Sequence, residues 1–343
     1  MICWLIPGSG GCFWAAEEEV ELALELVEIP ENSAPPGART RWLKTADGVR
    51  LRTAVWFPAG EQRRGTIVLL GGRSEFIEKY FEVIGELLAR GFAVATMDWR
   101  GQGLSDRLLD DARKGHIDDF ATFDADLAQF MEEVVAAEMP LPWVALAHSM
   151  GGHLVLRAAH DHPDWFAGLI LLAPMLGLNL GGKAAQAALR AYAKMASALG
   201  GGSAYVLGGG PKSAADTDFE HNILTSDVRR YARVQAIERA RPDLALGAAT
   251  IGWLKAALAS IDRLSEADYL GSVRMPILMV EAGRDALITS SSLGHAAQCL
   301  PRAELLTIGD ARHEILIERD ELRRRFWAAF DRFIEKNFGQ ASG

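Results

Sequence analysis

From about residue 39 onward, short apolar runs alternate with longer stretches in which apolar positions recur every three or four residues. The runs at 66–70, 93–97, 143–147 and 169–172 have strand length, and the intervening stretches at 75–90, 118–137 and 150–160 have helical periodicity. This alternation predicts βαβ units, whose crossover helices cover a parallel sheet on both faces and leave its strands almost unbroken in Val, Ile, Leu and Ala. Ahead of it, Asp47-Gly48 separates extended stretches at 41–45 and 49–57, a hairpin signal with a positive-φ turn, so the domain is expected to open on antiparallel strands. The predicted class is therefore α/β, with a mostly parallel sheet flanked by helices.

The rhythm stops after Pro174 and resumes at Pro276 with a strand at 277–280, a helix at 290–299 and a strand at 303–308. Between them lie helical stretches at 183–199, 228–240 and 244–264, with a glycine-rich loop at 200–210. Loops at the carboxyl ends of parallel strands are where such sheets bind ligands, so this segment is read as an inserted helical cap. The expected division is an amino-terminal extension and linker (1–38), a core (39–175 and 265–338), a cap (176–264) and a tail (339–343). Apolar stripes in the cap, Leu189, Tyr192, Met195, Ala196 and Leu199 in one helix and Ile251, Leu254, Leu258 and Ile261 in another, are expected mostly to pack on the core, with some lining an entrance.

The first 16 residues are apolar but hold no Lys or Arg, and the first basic residue is Arg39. A secretory signal needs a basic start and a membrane helix needs about 20 apolar residues without a Pro and Gly break, so the segment is read as a poorly ordered extension or a mis-assigned start, a cleaved signal being the alternative. The acidic run at 17–28 is expected to form a short solvated helix, and the prolines between Pro30 and Pro36 an extended linker.

Candidate chemistry sits where the 143–147 strand meets the next helix, at Ala147-His148-Ser149-Met150-Gly151-Gly152. A serine on such a tight strand-to-helix turn presents its hydroxyl above the sheet, and small neighbours let strand and helix approach. That hydroxyl is a weak nucleophile and needs a histidine base held in one tautomer by a carboxylate. Of eight histidines, His160, His162, His221 and His295 read as surface or structural, His148 and His153 lie too close to Ser149 to aim back at it, and His116 is a possible pocket residue in a loop. His313 alone follows the last strand and precedes the final helix, which makes it the expected base. Asp285, after the 277–280 strand, is the expected acid, with Glu281 and Asp310 as alternatives. The oxyanion formed in acyl transfer needs backbone N–H donors, expected from Met150 and from Arg73, which follows Leu69-Leu70-Gly71-Gly72. Gly72 and His148 are expected to line the substrate, and the Arg73 side chain to meet an anionic headgroup or solvent.

Composition narrows the rest. The 343 residues carry a formal net charge of −9, which disfavours nucleic acid and attraction to anionic lipid surfaces, so membrane contact is expected to be peripheral at most. Three cysteines, Cys3, Cys12 and Cys299, show no metal or redox spacing, and a cytoplasmic location is expected. No metal or organic cofactor is implied.

On these residues the sequence resembles the monoglyceride lipase and bacterial lysophospholipase group of α/β-hydrolases over about residues 25–338. The resemblance rests on Gly72-Arg73-Ser74-Glu75 with Tyr80, on Asp98-Trp99-Arg100-Gly101-Gln102-Gly103 with Ser105, on His148 to Gly152, on Gly283-Arg284-Asp285, on Arg312-His313-Glu314, and on Asn222 to Asp227 and Thr250 to Trp253. It implies Ser149, Asp285 and His313 as the triad, Arg73 and Met150 as oxyanion donors, and a small lipid ester with one acyl chain, a lysophospholipid or monoacylglycerol, as substrate. A broad carboxylesterase or proline-directed aminopeptidase is the alternative, and a non-catalytic binding protein a remoter one. Gly71, where relatives have His, and Ala147, where they have Gly, depart from the pattern.

Overall fold

The structure is a computed structural model that describes residues 26–60 and 64–339; the readings at 1–16, Cys3 and Cys12 and nearly all of the acidic run lie outside the described residues. Residues 26–28, the described end of that run, are not helical. Eight strands, β1 (Arg39–Lys44), β2 (Arg50–Trp56), β3 (Thr66–Leu70), β4 (Ala93–Met97), β5 (Trp143–His148), β6 (Gly168–Leu172), β7 (Ile277–Ala282) and β8 (Ala303–Ile308), form one sheet in the order β1-β2-β4-β3-β5-β6-β7-β8. The first two are antiparallel, turning at Asp47-Gly48 with φ +87° at Gly48, and all pairings from β4 to β8 are parallel.

The helices are α1 (Phe81–Ala89), α2 (Ala121–Phe130), α3 (Ala136–Glu138), α4 (Met150–Asp161), α5 (Lys183–Ala196), α6 (Val228–Ala240), α7 (Ile251–Leu264), α8 (Ala267–Gly271), α9 (Ser290–Cys299) and α10 (Asp320–Phe338). Alternate residues of each central strand enter different cores. Val68 and Leu70 of β3 join a cluster with Leu127 of α2, Leu154 of α4 and Leu293 of α9, while Ile67 and Leu69 join Ile84 of α1 and Phe330 of α10. Burial on both faces is why these strands lack an apolar-polar alternation.

Helix boundaries depart from the periodicity where side chains intervene. The stretch expected to be helical from 244 forms α7 only from Ile251, because Thr250 Oγ1 accepts from the Trp253 N–H at 3.2 Å and so caps the helix there. The 118–137 stretch starts at Ala121, after the Asp119 carboxylate takes its N–H at 2.9 Å, and widens into a π-turn over Met131–Val135 before α3. Between β6 and β7, α5 packs on α7 more than on the core, through Leu189, Tyr192, Ala193, Ile251, Leu254 and Leu258; Met195 and Leu199 of its expected stripe are 63% and 82% exposed, and of the stripe expected on α7 Ile261 alone joins the sheet's cluster, beside Trp253, Ala256, Ala257 and Leu264.

Because β3, β5, β7 and β8 run the same way, the loops bearing Arg73, Ser149, Asp285 and His313 all leave the same edge of the sheet.

Candidate active site

Ser149 stands between β5 and α4 with φ 50° and ψ −115°, a conformation costly for a residue with a Cβ. Three backbone bonds hold it there: its N–H donates to Leu172 O at 2.9 Å, and its carbonyl accepts from His153 and Met175 at 3.1 and 3.0 Å. The close approach demands Gly151, since a Cβ there would lie 2.5 Å from the carbonyl oxygens of both Leu70 and Gly71. Ala147 fits in place of glycine because it lies within β5, paired with Leu70 and Leu171 in ordinary extended register.

His313 Nε2 lies 3.0 Å from Ser149 Oγ, and His313 Nδ1 lies 2.8 Å from Asp285 Oδ2. The other carboxylate oxygen, Oδ1, accepts from the N–H groups of Leu287 and Ile288 at 2.8 and 3.0 Å. Burial works against ionising Asp285, but the hydrogen bond and charge of His313 and these two N–H groups outweigh it and hold the carboxyl below its ordinary range. The two loops are pinned together by Arg284 N–H to Ala311 O at 2.8 Å, and Gly283 leaves room for the Gly309 backbone, which a Cβ would meet at 2.5 Å. The alternative acids point elsewhere: Glu281 accepts from Thr307 Oγ1 at 2.6 Å and Asp310 pairs with Arg284 at 2.8 Å, mostly in solvent.

The Gly71-Gly72-Arg73 loop is shaped by the aspartate-tryptophan motif that follows β4. Trp99 Nε1 donates to Gly71 O at 2.9 Å and Gln102 Nε2 to Gly72 O at 2.7 Å, while Asp98 receives Ile77 N–H at 3.0 Å and the Arg52 guanidinium, itself buried between Asp98 and Glu78. Among the described residues the backbone N–H groups of Arg73 and Met150 find no protein acceptor, which suits donors reserved for a ligand oxygen. The Arg73 side chain lines the cleft rather than pointing into open solvent. It is half-buried, donates to Gly247 O at 2.7 Å, lies over the Trp253 ring and leaves Nε unpartnered; desolvation lowers it to about 10.

Arg73, His148, Ser149 and His313 line a cleft of about 800 Å³ whose other walls come largely from the segment between β6 and β7, with additions from the loops after β3, β7 and β8. Its lining includes apolar residues, Met175, Leu178, Leu246, Trp253, Leu287 and Ile288, and polar ones, Glu238, Glu314, Asn222 and His221, the last expected from the sequence to be surface or structural. Gly72, expected to line the substrate, is not among the lining residues: its N–H is taken by the Glu75 carboxylate. His148 lines the cleft, yet both its ring nitrogens face protein acceptors, Glu75 Oε2 at 2.9 Å and His313 O at 3.1 Å. His116 does not line it and instead contacts Thr250 Oγ1 at 2.9 Å. His153 is spent on Met175 O and Ser260 Oγ, and His160 and His162 stack on Tyr269 and Trp165.

Comparison with known proteins matches residues 61–320 to the family described as serine aminopeptidase, S33. The lysophospholipase L2 of Escherichia coli (strain K12) is 30% identical over 271 residues, covering 75% of this chain and 76% of that protein. A probable lysophospholipase L2 of Haemophilus influenzae is 28% identical over 271 residues, covering 79% of this chain and 84% of the relative. Among solved structures, a soluble variant of the monoglyceride lipase from Saccharomyces cerevisiae, in complex with a substrate analog, superposes with a TM-score of 0.69 at 20% identity over 88% of this chain and 96% of that one. The architecture expected from the sequence, the α/β-hydrolase fold, is the one observed.

Proposed function

The chain belongs to the serine aminopeptidase (S33) family, and from that premise we propose that it hydrolyses the carboxylic ester of a lipid bearing one acyl chain, a lysophospholipid or a monoacylglycerol, through an acyl-enzyme on Ser149. The observation that carries the reading is the unbroken relay from Ser149 Oγ through the His313 ring to Asp285, at 3.0 and 2.8 Å, opening on a cleft with an apolar side. His313 Nε2 takes the hydroxyl proton as Oγ attacks the ester carbonyl, and Asp285 stabilises the imidazolium. The carbonyl oxygen, now negative, is met by the N–H groups of Arg73 and Met150. His313 then returns the proton to the departing alcohol, and water activated by the same nitrogen releases the fatty acid.

Met175, Leu178, Leu287 and Ile288 supply the surface against which an acyl chain is sheltered. Each buried methylene contributes about 0.8 kcal/mol, so catalytic efficiency should rise steeply with chain length until the apolar wall ends. Among the described residues no helix is long and apolar enough to cross a membrane, and we take contact with lipid to be peripheral. A second reading, release of an amino-terminal residue from a peptide, is favoured by the carboxylates of Glu238 and Glu314, which could hold a free ammonium. Rates on lysophosphatidylcholine, lysophosphatidylethanolamine, monoacylglycerol, short nitrophenyl esters and proline amides separate the two. Single-chain lipids should be turned over best; faster cleavage of the amides would give the assignment to the peptidase reading.

A further inference from the structure

Behind the nucleophile lies a buried ionic cluster for which the reaction above has no use. Glu75 Oε1 accepts from Lys79 Nζ at 2.8 Å, and its Oε2 accepts from the Tyr80 hydroxyl at 2.6 Å and from the Gly72 N–H. Lys79 Nζ also donates to Glu314 Oε1 at 2.6 Å, and His148 lies between Glu75 and the His313 carbonyl. All of these side chains are less than a tenth exposed.

We propose that His148 is held as a doubly protonated imidazolium that ties the loop of the base to the loop of the oxyanion donor and so positions both. A neutral imidazole has one N–H and one lone pair. The His313 carbonyl has no proton to give, so His148 Nε2 must donate to it. At the other nitrogen stands a carboxylate already ringed by an ammonium, a hydroxyl and a backbone N–H, an environment that only its ionised form satisfies. His148 Nδ1 must therefore donate as well.

The charges agree. Glu75 and Glu314 are balanced by Lys79 and a cationic His148, whereas a neutral ring would leave an uncompensated negative charge in the interior. The groups facing the ring are Glu75, Lys79 and Tyr80 from the stretch after β3, and His313 and Glu314 from the loop after β8. Burial opposes charging His148, but the charge and hydrogen bond of Glu75 overcome it and raise the ring above its ordinary value of 6.5; the same contacts, with Lys79, hold Glu75 well down.

The pair spans the site. Glu75 Oε2 grips the Gly72 N–H, one residue before Arg73, and His148 Nε2 grips the carbonyl of His313 itself. Loss of the second proton frees one of the two loops. His148 touches no reacting atom and is a positioning residue, so its loss should fall on kcat and spare KM.

Nitrogen-15 NMR of the histidine-labelled whole chain tests the charge. At about pH 7 both His148 nitrogens, assigned through bonds and by their absence in His148→Asn, should be protonated, with neutralisation above the ordinary histidine midpoint. A single neutral tautomer at that pH overturns the proposal. Glu75→Gln should lower the midpoint by about one pH unit or more and move the alkaline limb of kcat with it, with KM unchanged within about twofold. A midpoint that moves while the alkaline limb stays overturns the positioning role. Should neither variant fold, the wild-type NMR midpoint must coincide with its own alkaline kcat limb, and a mismatch counts against the role. The charge state is independent of the proposed reaction, and only the kinetic half rests on it. Labelling of wild-type Ser149 by a fluorophosphonate tells the two failures apart.

Discussion

Replacing Asp285 by asparagine isolates the part of the relay that sets the proton on His313. In the native site Oδ1 is fixed by the N–H groups of Leu287 and Ile288 at 2.8 and 3.0 Å, so the amide oxygen of the new side chain has one place to go and its NH₂ is forced toward His313 Nδ1, 2.8 Å from the native Oδ2. A donor facing Nδ1 makes that nitrogen the acceptor and moves the ring proton to Nε2, where it points at Ser149 Oγ and the base is lost. The missing imidazolium partner adds to the cost. Together they should lower kcat by about 10⁴, or about 5.4 kcal/mol, with KM little changed. Volume and hydrogen-bond count are nearly kept, so the melting temperature should hold. Steady-state hydrolysis of a nitrophenyl ester beside a circular-dichroism melt reads both quantities. Glu281→Gln and Asp310→Asn, whose native carboxylates face Thr307 and Arg284, should cost less than about tenfold. An Asp285→Asn protein retaining a tenth of wild-type kcat, or an equal loss from the change at Glu281 or Asp310, would refute the reasoning.

Other outcomes follow from the same contacts. Gly151→Ala puts a Cβ 2.5 Å from two backbone carbonyl oxygens, so it should cost about 1–3 kcal/mol in a denaturant melt and lower kcat by displacing the oxyanion loop. His148 is raised in the folded state, so its contribution to stability is complete below an unfolded value near 6.5 and disappears as pH climbs through the folded one; the melting-temperature advantage of wild type over His148→Asn should shrink accordingly in alkaline buffer, and a constant gap would count against it. Efficiency on single-chain esters should climb from about two to at least about eight acyl carbons while diacyl lipids stay poor, and a flat series would remove the acyl-chain role of Met175, Leu178, Leu287 and Ile288.

The proposed triad is legible in the sequence because each member is fixed by chain order and by the end of a strand, two properties that an apolar run displays directly. Ser149 follows β5, Asp285 follows β7 and His313 follows β8, and the structure brings the three within hydrogen-bond reach. What the periodicity could not carry depends on distant partners. Lys79 and Glu314 are 235 residues apart, so no local pattern announces their ion pair or the His148 cluster it completes. No local pattern fixes the course of Arg73, which is set by the Gly247 carbonyl and the Trp253 ring on the far side of the cleft. Met175, Leu178, Leu287 and Ile288 lie in aperiodic loops after β6 and β7, where position after a strand end, the property that also marks Asp285, is the one signal in the sequence. The start at Ile251 departs from the periodicity for a local reason, the Thr250 side-chain cap, which stripe counting ignores.

Whether Ser149 is activated and serves a single-chain acyl site is decided by treating the intact protein with alkyl fluorophosphonates of increasing chain length and mapping the adduct by peptide mass spectrometry. One adduct is expected, on Ser149, formed faster as the chain lengthens toward about eight carbons and suppressed by lysophosphatidylcholine, with none in His313→Ala. An adduct on another serine, or a rate on Ser149 indifferent to chain length and to the lipid, would contradict it.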